Sequence, residues 1–197
     1  MNALPHALFR ASDTLTTPLG AFLVQQAGAE DASALRRALA GGLTGVALAG
    51  CRRGADVQRL AVLLSVAEAE EDRPEGSCPI LAVTDGILPA PAGAEGFAGS
   101  SARLAGLVWD HAALARTLGA EDCRAADGAW TAPFAAARAA VLLSARAADL
   151  RAYDSACPLA GENFVEDCRR SRADGFFGRL AQVPEQIPVI ESIYGGR

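Results

Sequence analysis

Leu104-Ala-Gly-Leu-Val-Trp-Asp-His-Ala-Ala-Leu-Ala-Arg-Thr-Leu-Gly-Ala120 decides the fold. Its first part is a short, almost unbroken apolar run, the pattern of a strand covered on both faces. Asp110 and His111 end that run, and an Ala/Leu/Arg stretch of helical character follows at Ala112–Leu118. A strand that hands over directly to a helix is one β/α unit. The same alternation extends outward, with strands expected at Ala21–Gln25, Gly45–Ala49, Pro79–Thr84, Leu104–Trp109, Arg151–Ser155 and Phe176–Gln182. Helices are expected at Ala32–Ala40, Gly54–Glu71, Ala112–Leu118, Pro133–Asp149, Glu162–Ala173 and Pro184–Tyr194. This order specifies an α/β fold with a parallel sheet and the helices outside it.

A single domain over residues 1–197 is expected, with residues 1–20 left without an element. Val57, Leu60, Val62, Leu63 and Leu64 give the second helix an apolar side, whereas Arg59 and Glu68 to Glu71 are placed for water. The polar Glu70–Cys78 stretch and the Gly/Pro-rich Gly86–Gly99 stretch read as loops rather than linkers, because β/α units resume on both sides. A hydrophobic content of 51% over 197 residues is enough for a buried core.

All 18 basic residues are Arg, against 23 Asp and Glu, for a net charge of −5. Without lysine there is no Schiff-base aldolase chemistry, no pyridoxal phosphate attachment and no Gly-Lys-Ser/Thr phosphate loop. An acidic balance without a basic cluster excludes a nucleic-acid partner. No apolar stretch approaches the roughly 20 residues of a membrane span. Cys51, Cys78, Cys123, Cys157 and Cys168 are scattered with no Cys-x-x-Cys pair, so they read as free thiols of a cytoplasmic protein. His6, beside Pro5, reads as inert, and Trp109 and Trp130 as core packing.

Four segments, from about Leu39 to the C-terminus and chiefly over residues 39–194, resemble the citrate lyase beta-subunit family, also called the HpcH/HpaI aldolase family. Gly41-Gly-Leu-Thr-Gly-Val-Ala-Leu-Ala-Gly-Cys-Arg-Arg-Gly-Ala-Asp-Val57 is similar to the family's Gly-x-Asp-Gly-Val-x-Leu-Pro-Lys-Val-Glu-Ser-x-x-Asp-Val. Pro79-Ile-Leu-Ala-Val-Thr-Asp-Gly86 stands where the family has an apolar strand ending Ile-Glu-Thr. The opening segment parallels Leu-Asp-Ala-Leu-Val-Phe-Gly-Ala-Glu-Asp-Leu-x-x-x-Leu-Gly-Ala. Most specific is Arg172-Ala-Asp-Gly-Phe-Phe-Gly-Arg-Leu-Ala-Gln-Val-Pro-Glu-Gln-Ile-Pro-Val-Ile190, against Ala-x-Gly-Phe-Asp-Gly-Lys-x-x-Ile-His-Pro-x-Gln-Ile-x-x-Ile. The resemblance implies a TIM-type (β/α) barrel that makes or breaks C–C bonds next to a carboxylate or CoA thioester, using Mg²⁺.

Departures from the family pattern fall on its chemistry. Thr84 stands in the slot of the Glu ligand, and Ala112 and Ala113 stand in the slots of the Glu-Asp pair. Val183 replaces the His of Ile-His-Pro, and the substrate-gripping Arg is missing near Leu23–Gln26. These losses imply a degenerate member with weak or no Mg²⁺-dependent lyase activity, one that binds an acyl-CoA or small oxoacid. An active lyase remains the alternative, with Mg²⁺ held by displaced Asp85 and Asp110 and with His111 as general base or ligand. Asp110 reads equally as a helix cap. Asp154 matches a family Asp by position, and serves either the pocket or the turn at Ser155 and Pro158. Arg52 and Arg53 are candidates for a carboxylate or CoA phosphate, or a solvated loop pair. A third reading is a non-catalytic assembly subunit.

A complete barrel takes eight strand-helix units and about 250 residues. Six strands are countable here, and residues 1–20 are too few for two more β/α units. An incomplete or modified barrel with open edges is therefore expected. Such edges invite pairing, which predicts a homo-oligomer, a dimer or trimer, or a complex with a full-length homologue. In the alternative, residues 1–20 fold back and cover the edges within one subunit.

Overall fold

The computed structural model describes residues 4–11, 14–17, 20–89 and 95–196, so residues 90–94 of the long Gly/Pro-rich connection lie outside it. In chain order the elements are β1 (Ala7–Ala11), β2 (Thr14–Thr17), β3 (Gly20–Gln26), α1 (Ala32–Ala40), β4 (Gly45–Ala49) and α2 (Gly54–Glu70). Then come β5 (Ile80–Thr84), β6 (Leu104–Trp109), α3 (His111–Leu118), α4 (Ala132–Ala147), β7 (Arg151–Asp154) and α5 (Gly161–Asp174). β8 (Gly178–Ala181), a 3-10 turn at Pro184–Gln186 and α6 (Ile187–Gly195) complete the chain.

The eight strands close into a barrel in sequence order, with β1 hydrogen-bonded to β8. This is a modified (β/α) barrel, and its edges are not open. The count of six strands is corrected by an N-terminal hairpin that supplies the other two. β1 runs parallel to β8 (Leu8 opposite Leu180), while β2 is antiparallel to both β1 and β3 (Phe9 opposite Thr16, Leu15 opposite Phe22). A parallel crossover consumes a dozen or more residues, whereas an antiparallel return needs only a tight turn. A segment too short for two β/α units therefore still holds two strands. The edge-pairing argument for oligomerisation loses its premise, because the edges are covered within one subunit.

Alternation along each strand divides the core in two. Leu8, Leu15, Phe22, Ala47, Leu81, Val83, Val108, Tyr153 and Leu180 fill the barrel interior. Their neighbours Val46, Leu48, Ile80, Ala82, Leu107, Trp109 and Ala152 pack outward, in the cluster shared with the helices. Two glycines answer close approaches. A Cβ on Gly45 would sit 2.3 Å from the Phe22 ring, and one on Gly178 only 2.0 Å from the His6 carbonyl oxygen.

His6 is held in place in the fold. Its backbone N–H and that of Ala7 donate to Glu191 Oε1 at 3.1 and 2.8 Å, and its ring Nδ1 lies 2.7 Å from the Phe177 carbonyl. Tyr153, inside the barrel, donates its hydroxyl to Pro5 O at 2.7 Å.

Glu68 departs from its expected place in water and is fully buried. Arg103 grips it with Nη1 and Nη2 at 2.8 and 2.7 Å, and Ser77 and the amides of Gly76 and Cys78 complete its shell. All five cysteines are free thiols; burial, with the nearby Asp56 charge, pushes Cys51 up to about 12. Among the described residues, no helix is long and apolar enough to cross a membrane.

Candidate functional site at the barrel mouth

In barrels of this kind the strand C-termini carry the site. On β5 and β6, inward-facing Val83 and Val108 are paired in register, as are outward-facing Thr84 and Trp109. Asp85 and Asp110 follow at the ends of these strands, where the Asp110 amide donates to the Thr84 carbonyl at 2.9 Å. Asp85 accepts the Ile87 amide at Oδ1 (3.0 Å), and at Oδ2 the Thr117 hydroxyl (3.3 Å) and the Arg52 guanidinium. Asp110 caps α3 by accepting the Ala113 amide at Oδ1 (3.1 Å), and takes Arg10 Nη1 at Oδ2 (3.3 Å). Arg10 lies in β1, where no strand was expected and nothing in the sequence pattern placed it at the mouth.

His111 opens α3 and lies beside the Trp109 and Trp130 rings. Its Nδ1 lies 2.6 Å from Ser155 Oγ, which also accepts the His111 amide at 3.0 Å. Burial lowers the imidazole pKa, and the positive charges of Arg124 and Arg179 add to this against Asp110 and Asp154. The ring is uncharged at neutral pH. Ser155 is itself buried, so its hydroxyl is spent on holding the ring.

Asp154 does not reach the mouth. Tyr153 takes the inward position on β7, and Asp154 faces the helices. There it accepts Arg138 Nε on both oxygens at 3.1 Å, Arg138 Nη2 at 2.7 Å, the Ser171 hydroxyl at 2.6 Å and the Ser155 amide at 2.9 Å. Burial alone would raise its pKa; the charge and hydrogen bonds of Arg138 outweigh it and hold the carboxyl below its ordinary value. A carboxylate so fully engaged anchors the β7–α4–α5 junction rather than exchanging protons with a ligand.

Arg53 also leaves the mouth, as the N-cap of α2. Arg179 was not singled out, although it occupies the Lys position of the Gly-Phe-Asp-Gly-Lys motif, a signal that could have found it. It is fully buried, donates from Nη2 to Ser155 O at 3.0 Å, and pairs with Asp167 at 3.0 Å.

Among the described residues the apolar centre of the mouth is filled. Leu15, Val24, Ala49, Val83 and Leu180 converge there with Arg10 and leave a dimple of about 10 Å³, the space of one water. Mg²⁺ chemistry needs oxygen ligands with open positions left for substrate. Thr84 spends its hydroxyl on the Gly86 amide, Ala112 and Ala113 have no donor, and Asp85 and Asp110 each hold a guanidinium. Among the described residues, no three His, Cys, Asp or Glu side chains gather to hold an ion. The residues present do not fit a Mg²⁺ centre.

The fold defines a modified (β/α) barrel with its mouth at the strand C-termini, and solved structures narrow this further. No family model matches the chain, and no curated protein matches it. Protein CitE from Mycobacterium tuberculosis, in complex with magnesium and acetoacetate, is similar with a TM-score of 0.68 and 27% identity, over 87% of this chain. The same protein with magnesium, acetoacetate and coenzyme A gives a TM-score of 0.67 and 29% identity, again over 87% of this chain. RipC from Yersinia pestis (TM-score 0.61, 21% identity, 81% of this chain and 68% of that one) shares the fold. The chain is thus similar in fold to the citrate lyase beta subunits, whose HpcH/HpaI aldolase family its four segments resemble. It spans 66% and 59% of the two CitE chains compared.

Proposed function

We propose that this protein is a degenerate citrate-lyase-beta-like barrel without metal-dependent C–C lyase activity. In this reading, the half-exposed arginines at the strand ends meet the carboxylate of a small oxoacid or the phosphates of an acyl-CoA. The filled mouth carries the proposal. An enolate-forming substrate needs a cavity at the strand ends and a cation with open positions, and about 10 Å³ admits neither. Half-exposed Arg52 supports the anionic ligand, since a guanidinium fork suits carboxylate and phosphate.

The test is turnover of malyl-CoA-type and oxaloacetate-type substrates by purified protein with Mg²⁺. No rate above buffer is expected. Turnover abolished by EDTA, and by D110A or H111A, establishes instead the lyase that uses the displaced Asp85, Asp110 and His111. Thermal-shift screening with oxaloacetate and CoA esters tests ligand binding, because a ligand of the native state raises the melting temperature.

A second reading, an assembly subunit, is supported by exposed Ile87 and Val183, which follow β5 and β8 at the end of the barrel that holds the apolar mouth. Light scattering separates the two readings: a 20.2 kDa particle excludes self-assembly, and a dimer or trimer supports it.

A further inference from the structure

In α2, charged and apolar side chains have changed places. Its buried face includes Asp56 and Glu68. Val62, expected on the apolar side, is instead 66% exposed, and Val66 is 54% exposed. Ala55, Gln58 and Ala69 are exposed as well. At 3.6 residues per turn these five positions form one stripe along the 17-residue helix, with Val62 and Val66 side by side at its middle. The stripe carries no charge, whereas the outer face of a surface helix is ordinarily charged or polar.

One flank of the stripe, the one turned toward α1, has a charge of each sign. Arg59 Nη2 donates to Asp56 Oδ1 at 3.1 Å and its Nε lies 3.8 Å from Glu30. Glu70 Oε2 lies 2.9 Å from Arg36 Nε. Arg59 and Glu70 are still half exposed, at 49% and 45%. They stand three turns apart and therefore on the same flank. Measured along the helix from Leu64, Val62 and Val66 lie about 3 Å to either side, and Arg59 and Glu70 about 8 and about 9 Å to either side. The opposite flank holds Ala61 and Ser65 and no charge.

We infer that this stripe is the contact between two copies of the chain, packed as antiparallel α2 helices about a two-fold axis beside Leu64. Such an axis demands a self-complementary surface, in which each residue meets a different one and is met by it in turn. Here it sets Val62 against the partner's Val66, and Val66 against the partner's Val62. In an antiparallel pair each flank meets its own copy, so Arg59 comes opposite the partner's Glu70, twice. A parallel pair would set the charged flank against the uncharged one and leave both charges without a mate. One helix, about 25 Å long and 10 Å wide, covers well under the roughly 800 Å² that each partner gives to a standard interface. The dimer is therefore reversible and fills at high concentration. The stripe lies on the outer wall of the barrel, away from Ile87 and Val183, so the contact goes beyond either reading of the mouth.

The experiment is sedimentation equilibrium of the full chain from about 10 µM to about 1 mM, the range over which a weak dimer fills. The native mass should rise from 20.2 kDa toward twice that value. V62E/V66E, which puts good helix formers at exposed positions, should stay at 20.2 kDa throughout. E70R, which sets like charges opposite each other twice, should raise the Kd at least about threefold. Should V62E/V66E not fold by circular dichroism, V62S/V66S takes its place with the same expectation. A native chain that is still monomeric at about 1 mM leaves the stripe to a different partner and overturns the inference. A dimer that the valine substitutions leave intact overturns it too, and moves the contact to Ile87 and Val183. An unchanged Kd in E70R overturns the antiparallel packing and the inference with it. None of these outcomes bears on lyase turnover, which tests the reading of the mouth separately.

Discussion

Replacing Arg103 by Met removes the one cation hydrogen-bonded to Glu68 among the described residues while keeping a side chain of similar length. Glu68 is fully exposed in no sense: it is buried at the N-terminal ends of β5 and β6, and Arg103 is itself 7% exposed. Breaking a buried, bidentate ion pair from one side leaves an uncompensated charge and costs about 3–5 kcal/mol. Against a typical domain stability of about 5–15 kcal/mol, that is a loss of a third or more. Urea unfolding followed by far-UV circular dichroism at pH 7 reads it as a fall in the midpoint with unchanged m. E68M/R103M should recover more than half of the loss, since packed apolar groups replace buried pairs at little cost.

The pH dependence carries a sign. In the native protein, burial pushes the Glu68 carboxyl up, but the Arg103 hydrogen bonds, the Gly76 and Cys78 amides and the Arg103 charge together hold it below its ordinary 4.5. Its stabilising contribution is present above the unfolded value and is lost as pH falls through the folded one. In R103M burial is opposed by the Gly76 and Cys78 amides and the Ser77 hydroxyl without the Arg103 charge, so the stability gap between native and variant narrows on acidification. A loss under about 1 kcal/mol at pH 7, or a gap that widens in acid, refutes the argument.

D154N removes the charge that faces Arg138 and Arg179 in the helical layer and should cost about 3–5 kcal/mol, read by urea titration. A cost under about 1 kcal/mol would mean that Asp154 anchors nothing. His111 has its pKa lowered by burial and by Arg124 and Arg179, against Asp110 and Asp154, so its contribution is present above the ordinary 6.5 and lost as pH falls through the folded value. H111Q should flatten the stability profile below that pH, and an unchanged slope counts against the assignment. Deleting residues 4–17 exposes the facing edges of β3 and β8, and light scattering should then report large aggregates. A monodisperse deletion variant would show that the hairpin is dispensable to closure.

The parallel part of the barrel was legible because each strand is a short apolar run beside a long Ala/Leu/Arg run, and Gly45–Ala49, Leu104–Trp109 and Ala32–Ala40 form over the stretches expected. The hairpin was not, because Thr14-Leu-Thr-Thr17 has one buried side chain, Leu15, and no following helix to frame it. Glu68 was assigned to water because its partner is Arg103, remote in sequence and brought beside it only by barrel packing. Position along the strand correctly brought Asp85 and Asp110 to one end. What it could not supply was Arg10, whose pairing with Asp110 spans 100 residues. Asp154 went astray by one step of the pleat, the difference between lumen and helical layer.

The seam between β1 and β8 has a consequence for how the molecule is made. Leu8 pairs with Leu180, so β1 waits for β8. A chain emerging from the ribosome can form its β/α units in turn, but it cannot shut the ring until β8 is out. Contacts that join distant segments are the slow ones to form, and until this one forms both ends of the sheet stay open to neighbouring nascent chains. The hairpin that spares the barrel two helices thus ties closure of the ring to the appearance of β8.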